Sequence, residues 1–532
     1  FAERHRLLLK HANLQEQPVP GRPTIGIPLA LYNYQLLPLW GTLLGELGYN
    51  VVATKVSTEK IIERGVEAVL STPCFPVKVA HGHVLELIER GVDMVWLPSI
   101  VTMKKEFAEA DYNQACPYVT AIPYQVSSSL EVSGRKAHIL QPPIRMQHGL
   151  AELYKSLRPA CRDLKVTTRQ MRKALSIAWA AQDQFEEACR QRGRQVLESL
   201  PAGQRAVVIV SRPYNGCDPG VSLDVPGKLR KLGVLPIPMD FLDLRDSASG
   251  DDRVLKRMYW KYGQRILHTG LLVREDPRLH AIYLSNFSCG PDSFLINYFK
   301  RLMAPKPSLL LEIDEHSADA GVVTRLEAFL ESLNNAKAGK PPLRLPLYPE
   351  GSGNGHLRTL YLPWMGDVSH GVAAAMRAHG QPAQVMPIAD QESIDIGRRH
   401  CTGKECLPCI ITTGDMVRQA QQPGFDPAKS AFFMPGGAGP CRFGQYNALH
   451  KLVLSDLGHA DVPVFAPVQN KEFYDQLQRL GGGDPSRLAW VGICAVEVLH
   501  KALLAIRPYE KSAGQTERVY IAWRDRICGI VE

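Results

Sequence analysis

The fold of this chain is decided by a stretch near its start, 24-TIGIPLALYNYQLLPLWGTLLGELGYNVVAT-54. It opens with a short apolar run that stops at a proline, continues with apolar residues at helical spacing, and reaches Gly48 before a second apolar run. Glycine commonly ends a helix because it adopts the left-handed backbone conformation without strain. The pattern therefore predicts a strand, a helix and a second strand parallel to the first.

The same pattern occurs twice more, in 206-AVVIVSRPYNGCDPGVSLDVPGKLRKLGVLPIPMD-240 and in 358-RTLYLPWMGDVSHGVAAAMRAHGQPAQVMPI-388. Three such units predict an α/β fold with several Rossmann- or flavodoxin-like parallel-sheet domains. Apolar runs of strand length follow these units and predict further strands at 93–99, 280–286, 308–314, 431–435 and 463–467.

Five segments are predicted along the chain. They are an α/β domain at 1–150, a long helical segment at 151–200, a second α/β domain at 201–333, a linker at 334–356 and a third α/β domain at 357–532. Within the helical segment, residues 168–200 predict one long amphipathic helix between the domains. The linker is assigned to 334-NNAKAGKPPLRLPLYPEGSGNGH-356 because it is rich in glycine, proline and polar residues.

The bulk composition of the 532 residues, with 45% hydrophobic and 22% charged residues, is typical of a globular protein. We expect no membrane-spanning run and no signal peptide, hence a cytoplasmic location. The net charge of +9 comes from scattered basic residues without a nucleic-acid motif, so we assign it to solvated surface. Because Phe1 is not an initiator methionine, we expect earlier residues to precede it.

A repeat relates the two ends of the chain. The segments 74-CFPVKVAHGH-83 and 406-CLPCIITTGD-415 both fit C-x-P-x5-G. Each follows a predicted strand–helix–strand unit, and each precedes a strand that ends in proline and then another cysteine, Cys116 or Cys441. We interpret the halves as related, with the first enlarged by a domain at about 200–330.

The twelve cysteines favour metal binding, catalysis or burial over a disulfide framework in a cytoplasmic chain. Ligands of parallel sheets bind at the carboxyl ends of the strands, where helix N-termini stabilise thiolates. Three loop cysteines of the first half, Cys74, Cys116 and Cys289, are predicted to meet there. Three thiolates suit a [4Fe-4S] cluster that keeps one iron open, while structural zinc stays an alternative.

The second half has the denser cysteine stretch, 401-CTGKECLPC-409, in C-x4-C-x2-C spacing. That spacing is typical of a plant-type ferredoxin loop with a [2Fe-2S] cluster. The repeat instead pairs Cys406 with Cys441, and leaves Cys401 and Cys409 as alternatives for a third ligand.

The remaining candidates receive structural interpretations. Buried apolar positions are expected for Cys161, Cys189 and Cys494 on helical patterns, and structural roles for Cys217 and Cys528. His81 and His83 are expected at the surface or at helix caps, with ligand or acid–base roles as the alternative. The sequence has no Walker A loop, no G-x-G-x-x-G after a strand, no H-E-x-x-H and no G-x-S-x-G.

Several long runs make the sequence similar to a known family. They are 25-IGIPLALYNYQLLPLWGTLLGELGYNVV-52, 74-CFPVKVAHGHVLELIERGVD-93, 212-RPYNGCDPG-220, 285-SNFSCGPDS-293, 403-GKECLPCIITTGD-415, 439-GPCRFGQYN-447 and 507-RPYE-510. They resemble the activase-related branch of the 2-hydroxyacyl-CoA dehydratase and benzoyl-CoA reductase superfamily, that is, CoA-substrate-specific enzyme activase-like iron–sulfur proteins. The likeness extends over nearly the whole chain.

The resemblance implies [4Fe-4S] or double-cubane clusters, each unit held by three cysteines. It matches Cys74, Cys116 and Cys289 to the first-half ligands and Cys406 and Cys441 to the second-half ligands. It also implies low-potential electrons from an ATP-hydrolysing activator with its own [4Fe-4S] cluster, either separate or fused N-terminally. Relatives use such electrons to dehydrate 2-hydroxyacyl-CoA through a ketyl radical, or to reduce aromatic CoA thioesters or small molecules.

We therefore expect an oligomeric, oxygen-sensitive iron–sulfur enzyme component that acts on a CoA thioester, with no nucleic-acid or membrane partner. The alternative is a non-catalytic, cluster-bearing scaffold or activator component that docks redox partners. A single double-cubane [8Fe-9S] cluster that bridges the halves is the alternative to separate cubanes. The catalytic residues stay unknown at this point.

Overall fold

The computed structural model describes residues 1–15, 18–107, 110–201, 203–246, 257–334, 358–437, 439–468 and 485–532. The chain divides into two compact units, Phe1–Leu345 and Pro346–Glu532. The predicted linker 334–356 contains this division, and all of it except Asn334 lies outside the described residues. The other predicted domain bounds stay predictions.

The strands are short, and those at 139–140 and 143–144 were not predicted; the others lie in or overlap the predicted strand regions. They are β1 (Thr24–Ile27), β2 (Asn50–Ala53), β3 (Met94–Trp96), β4 (Ser99–Ile100), β5 (Ile139–Leu140), β6 (Pro143–Ile144), β7 (Ala206–Val210), β8 (Leu235–Pro238), β9 (Leu279–Asn286), β10 (Ser308–Ile313), β11 (Thr359–Leu362), β12 (Ala383–Val385), β13 (Ser430–Phe433) and β14 (Val464–Phe465).

Helices connect these strands. They are α1 (Ala2–His11), α2 (Asn33–Glu46), α3 (Glu59–Ala68), α4 (Phe75–Glu89), α5 (Pro117–Val132), α6 (Leu150–Leu157), α7 (Thr168–Glu198), α8 (Pro213–Gly216), α9 (Val225–Lys231), α10 (Lys261–Glu275), α11 (Asp292–Met303), α12 (Asp319–Asn334), α13 (Val368–Ala378), α14 (Gln391–His400), α15 (Leu407–Ala420), α16 (Tyr446–Asp456), α17 (Ser486–Ile506) and α18 (Gln515–Val531).

Three four-stranded sheets share one strand order. The first has the order β2-β1-β3-β5, the second β8-β7-β9-β10 and the third β12-β11-β13-β14. Every neighbouring pair in them is parallel. The predicted α/β fold is confirmed, because parallel strands need helical crossovers that cover the faces of the sheet.

The centre of the second sheet shows why such sequences form parallel sheets. All five residues of β7 are buried, and β9 is buried over its whole length. The resulting core contains Val207, Ile209, Ile282 and Leu284, against which α9 and α12 pack. An uninterrupted apolar run is typical of a strand with helices on both faces.

The predicted long helix is confirmed as α7. It begins at a capping box, in which the Thr167 hydroxyl accepts from the Gln170 backbone N–H and the Gln170 side chain accepts from the Thr167 N–H. Its buried face, with Met171, Leu175 and Phe185 among its residues, includes the side packed against α2. This amphipathic pattern places α7 beside the first sheet.

The glycine of the C-x-P-x5-G motif lies at a close helix crossing. A Cβ atom added at Gly82 of α4 would stand 1.9 Å from the Ile61 carbonyl oxygen of α3, and one at Gly65 would stand 2.2 Å from the Lys78 carbonyl oxygen. Only glycine lets the two helix backbones approach this closely. The motif therefore includes a packing requirement on its glycine.

The second unit repeats this crossing between α14 and α15. Added Cβ atoms would stand 1.9 Å from the Ile410 oxygen at Gly397 and 1.7 Å from the Ser393 oxygen at Gly414. Gly82 and Gly414 are the last residues of the two C-x-P-x5-G motifs. The shared sheet order and the shared crossing support the interpretation of two related halves.

One helical stretch of the second unit is long and apolar. Among the described residues, 486–509 is long and apolar enough to cross a membrane by length and composition alone. Its apolar window is only 17% buried, and Trp490, Val498 and Tyr509 are exposed. The helix meets a criterion of length and composition only, and the expectation of no membrane partner stays a prediction.

We predict that Gly82→Ala destabilises the first unit by roughly 1–3 kcal/mol, since the new methyl group collides with backbone in a helix crossing. Gly414→Ala is expected to do the same in the second unit. Urea unfolding followed by circular dichroism measures both changes.

Two helical glycines with nothing within 4 Å of an added Cβ are the matched controls, Gly321→Ala and Gly529→Ala. Alanine has the better helix propensity, so each control is expected to be neutral or up to about 1 kcal/mol stabilising. Equal unfolding midpoints for the crossing variants and the controls would contradict the packing explanation.

Candidate cysteine sites

Four of the predicted ligands occupy the same local position, the N-cap of a helix. Cys74 caps α4, Cys116 caps α5 and Cys406 caps α15, each with extended backbone and a proline in the first or second helical position. Cys441 caps the short 3-10 helix Arg442–Gln445 with the same backbone conformation. The positive end of a helix therefore stands beside each sulfur atom.

The first set of cysteines is brought together in the first unit. Cys74 and Cys116 are buried, and each lies close enough to Cys289 to influence its pKa. Burial, together with the neighbouring Cys116, raises the pKa of Cys74 to about 12. Burial also raises the pKa of Cys116 and of Cys289. As free groups, these three side chains are protonated thiols at neutral pH.

A buried ion pair lies beside this set. An Arg212 guanidinium nitrogen donates to the Asp292 carboxylate at 2.7 Å, and the two side chains are 2% and 1% exposed. Arg212 acts to lower the pKa of Cys116 and of Cys289, whereas Asp292 acts to raise both. Because the guanidinium cannot be deprotonated, it supplies a permanent positive charge beside the sulfur atoms.

Asp292 holds Arg212 through further contacts. Its carboxylate also accepts hydrogen bonds from the Tyr283 hydroxyl at 2.9 Å and from the Ser285 hydroxyl. Sequence reasoning missed Arg212 and Asp292 as site residues. Both stand in quoted motifs, 212-RPYNGCDPG-220 and 285-SNFSCGPDS-293, so a charged residue within a cysteine motif was the available signal.

Aromatic side chains close one side of the first set. The Cys116 backbone N–H donates to the Tyr32 hydroxyl at 3.3 Å. The ring of Tyr32 stacks with Tyr214 at 6.1 Å between centroids and meets Tyr262 edge-on at 5.0 Å. All three rings are buried, so this side of the cysteine set is apolar and shielded from water.

The second set lies in the second unit and includes both alternatives for its third ligand. Cys401 and Cys406 lie close enough to Cys409 to influence its pKa, and Tyr446 stands beside Cys406, Cys409 and Cys441. Burial raises the pKa of Cys401 to about 12 and that of Cys409 still further. Cys401, Cys406 and Cys409 are thus neighbours, Cys441 shares Tyr446 with two of them, and Cys401 is not separated from Cys409 as third ligand.

Neither set has the geometry of a site for one ion. Across the described ranges, no group of three or more His, Cys, Asp or Glu side chains could hold a metal ion. Zinc binds thiolates at about 2.3 Å and so requires tightly converging sulfur atoms. An iron–sulfur cluster binds each thiolate at a different iron, and the thiols at helix N-termini fit its donor chemistry and its negative charge, although Cys441 is exposed.

The remaining cysteines follow the predictions in part. Cys161, Cys189 and Cys528 are buried and Cys217 is partly buried, consistent with structural roles. Cys494 is exposed, so its predicted burial was wrong. It lies on the outer side of α17, where a helical pattern alone does not show which face is covered.

His81 and His83 are buried, contrary to the expectation of surface or capping positions. His83 Nδ1 and the Thr54 hydroxyl are 2.7 Å apart, and His83 Nε2 and the Ser57 hydroxyl are 2.9 Å apart. The Ser57 hydroxyl in turn donates to Asp218 at 2.5 Å. This buried chain of hydrogen bonds joins α4 to the loop that follows α8.

Part of the first unit is similar to a known protein family. Residues 24–242 match a family described as a CoA enzyme activase uncharacterised domain. This stretch is a CoA enzyme activase-like domain. It contains Cys74, Cys116 and Arg212, while Cys289 lies beyond it. The predicted relationship to activase proteins is confirmed at this level.

Curated proteins and solved structures give no further relationship for this domain. No curated protein is significantly similar to the chain. Among solved structures, the SBP FpvC from P. aeruginosa in complex with Ni²⁺ matches 60% of this chain and 100% of its own at 11% identity, with a TM-score of 0.18.

Acid is predicted to destabilise the activase-like domain partly through His83. Burial lowers the pKa of this side chain from its ordinary value to about 3. The unfolded chain binds a proton there below about pH 6.5, so the stability contributed by neutral His83 is present above that pH and is lost as the pH falls. The loss is up to about 1.4 kcal/mol per pH unit.

His83→Gln is therefore expected to flatten the pH dependence of the free energy of unfolding between about pH 6.5 and 4.5. Urea unfolding at several pH values measures the slope. His316→Gln, at a side chain that is 85% exposed, is the control and is expected to keep the wild-type slope. An unchanged slope in His83→Gln would contradict the buried-histidine explanation.

Proposed function

We propose that the chain is an iron–sulfur protein that receives low-potential electrons and uses or relays them for the reduction or dehydration of a CoA thioester. One observation carries the proposal: in each of the two related halves, two candidate cysteines from separate loops lie at helix N-caps beside a parallel sheet. The resemblance to the dehydratase and reductase superfamily supports it, and so does the match of 24–242 to a CoA enzyme activase domain.

The residues proposed to hold a [4Fe-4S] cluster in the first unit are Cys74, Cys116 and Cys289. In the second unit they are Cys406 and Cys441, with Cys401 or Cys409 as third ligand. One-electron transfer at low potential is the chemistry that such clusters supply.

Side chains that lie beside the first set of cysteines also have a role in this proposal. Arg212 lowers the cost of holding negative charge on buried sulfur, and Asp292 keeps the guanidinium in place. The apolar rings of Tyr32 and Tyr214 limit the access of water. The charge of Arg212 favours thiolates over protonated thiols, whereas the apolar rings shield a bound cluster from water.

The proposed partner is an ATP-hydrolysing activator with its own [4Fe-4S] cluster, in the cytoplasm. A scaffold function that docks redox partners is the second candidate. It is favoured by the exposed apolar side chains of α17 and α18, where Trp490, Val498 and Ile530 are 66%, 71% and 77% exposed. Exposed apolar patches of this kind mark protein-binding surfaces.

Anaerobically purified protein is expected to contain iron and acid-labile sulfide in equal amounts. Cys74→Ala, Cys116→Ala and Cys289→Ala are each expected to lower the iron content by about four per chain, because each removes a ligand of the same cluster. Chemical iron and sulfide assays, with EPR of the reduced protein, measure the change.

The matched control is Cys161→Ala, at a buried cysteine of the same unit outside the set. It is expected to keep the wild-type iron content. Stoichiometric zinc without sulfide in the wild-type protein would refute the proposal. Perturbation of the EPR signal by added CoA thioesters would favour the catalytic form over the scaffold.

The third ligand of the second set can be identified by comparing two variants. Cys409 is fully buried at the first turn of α15, whereas Cys401 is partly exposed. We expect whichever of Cys401→Ser and Cys409→Ser removes a ligand to lose about four iron per chain, and the other to keep them. Full iron content in both variants would exclude a three-cysteine site in this unit.

A further inference from the structure

A cavity of about 230 Å³ lies in the first unit beside the tyrosines of the first cysteine set. It is bounded by α2, α7, the start of α10 and the loop around residues 103–106. One part of its wall is apolar and contains Leu36, Leu39, Met103, Met146 and Phe185. The function proposed above assigns no role to this cavity.

The charged part of the wall is predominantly cationic. It contains Lys104, Lys105, Arg190, Arg245, Lys261 and Arg265 against the carboxylates of Glu106, Glu186 and Asp240. Lys104, Arg190 and Arg245 also form ion pairs with carboxylates outside the wall. Asp240 is occupied by Arg4, whose Nε donates to it at 2.6 Å.

Two buried cations share the carboxylate of Glu106. Lys261 Nζ lies 2.5 Å from a Glu106 oxygen, and Arg265 Nε lies 3.7 Å from the same oxygen. Although burial acts to raise it, Arg265 and Lys261 hold the pKa of Glu106 at about 2. Glu106 is thus ionised and balances one of the two positive charges that contact it.

Two hydrogen-bond donors in this wall lack acceptors within the described part of the chain. They are Arg265 Nε and the Tyr262 hydroxyl, in side chains that are about nine-tenths buried or more. Buried donors are almost always paired with an acceptor, because an unpaired one loses its hydration without compensation. The described part of the chain therefore supplies no acceptor for these two donors next to a buried cation.

The carboxylate of Glu186 disfavours a ligand that carries more than one negative charge. This carboxylate accepts hydrogen bonds from the side-chain amides of Gln35 at 3.4 Å and Gln182 at 3.0 Å, and it forms no ion pair among the described residues. A second negative charge in the cavity would be repelled by it. One negative charge on the ligand suits the wall better than two.

We propose that this cavity binds a small organic monocarboxylate. Its carboxylate accepts hydrogen bonds from Arg265 Nε and the Tyr262 hydroxyl, and its apolar body lies against Leu36, Leu39 and Phe185. A cavity of this volume has room for the carboxylate and a short apolar chain.

The position of the site connects it to the first cysteine set without making it part of that set. The edge of Tyr262 meets Tyr32 at 5.0 Å between centroids, and the Tyr32 hydroxyl accepts from the Cys116 N–H. The proposal does not depend on what the cysteines bind, since it rests on Arg265, Tyr262 and the apolar wall.

Isothermal titration calorimetry on the full chain tests the proposal with three probes. Hexanoate has eight non-hydrogen atoms, hexanamide is its neutral counterpart, and inorganic phosphate carries more charge without an apolar body. We expect hexanoate to bind with one-to-one stoichiometry and at least about tenfold more tightly than the other two.

Two conservative variants are expected to change hexanoate affinity in opposite directions. Tyr262→Phe removes one hydrogen bond and should weaken binding about fivefold. Glu186→Gln removes a repelling charge, keeps an acceptor for the two amides and should strengthen binding severalfold. Arg265→Gln should abolish binding. If Arg265→Gln does not fold, the opposite changes in hexanoate affinity of Tyr262→Phe and Glu186→Gln still test the proposal.

The control is Tyr124→Phe, at a side chain that is 50% exposed and far from the wall residues in sequence, with wild-type affinity expected. The proposal is refuted by the absence of saturable hexanoate binding, by equal affinities for hexanoate and hexanamide, or by tighter binding of phosphate. Wild-type affinity in both Tyr262→Phe and Glu186→Gln would refute it as well.

Discussion

Close contact between two helix backbones determines where the candidate sites form. At Gly82 against α3, and at Gly414 against α14, a side chain of any size would meet a carbonyl oxygen within 2 Å. The crossing holds α4 or α15 in position, and each of these helices begins at a cysteine that caps it. The same backbone constraint thus places Cys74 and Cys406 at equivalent points of two sheets that share one strand order.

Buried polar contacts hold the segment after β7 in place. Arg212 pairs with Asp292 after β9 of the same sheet, while Asp218 accepts from Ser57, which follows β2 of the first sheet. Gly220 also lies against the Ser57 backbone, where an added Cβ would stand 2.3 Å from its oxygen. The segment 212-RPYNGCDPG-220 therefore has three structural roles. It supplies the buried cation of Arg212, the carboxylate that binds Ser57, and a glycine that packs against the Ser57 backbone.

The interpretation of single residues shows where sequence reasoning stops. The three strand–helix–strand units and α7 follow from local periodicity, because burial on one face imposes a repeat on the sequence. His83 was expected to be exposed, yet it is enclosed by Thr54 and Ser57. Cys494 was expected to be buried, yet it lies on an uncovered side of α17. Neither outcome is local, since each depends on which element packs against a helix face.

The sequence by itself determined the α/β class, the repeated C-x-P-x5-G motif and the loop positions of Cys74, Cys116, Cys289, Cys406 and Cys441. Each of these follows from residues close together in the chain. Only the tertiary structure decided that Arg212 and Asp292 stand beside the first set, that both Cys401 and Cys409 adjoin Cys406, and that Arg265 and Tyr262 line a cavity. These arrangements depend on how the helices pack on the parallel sheets and on one another, which a local pattern of residues does not show.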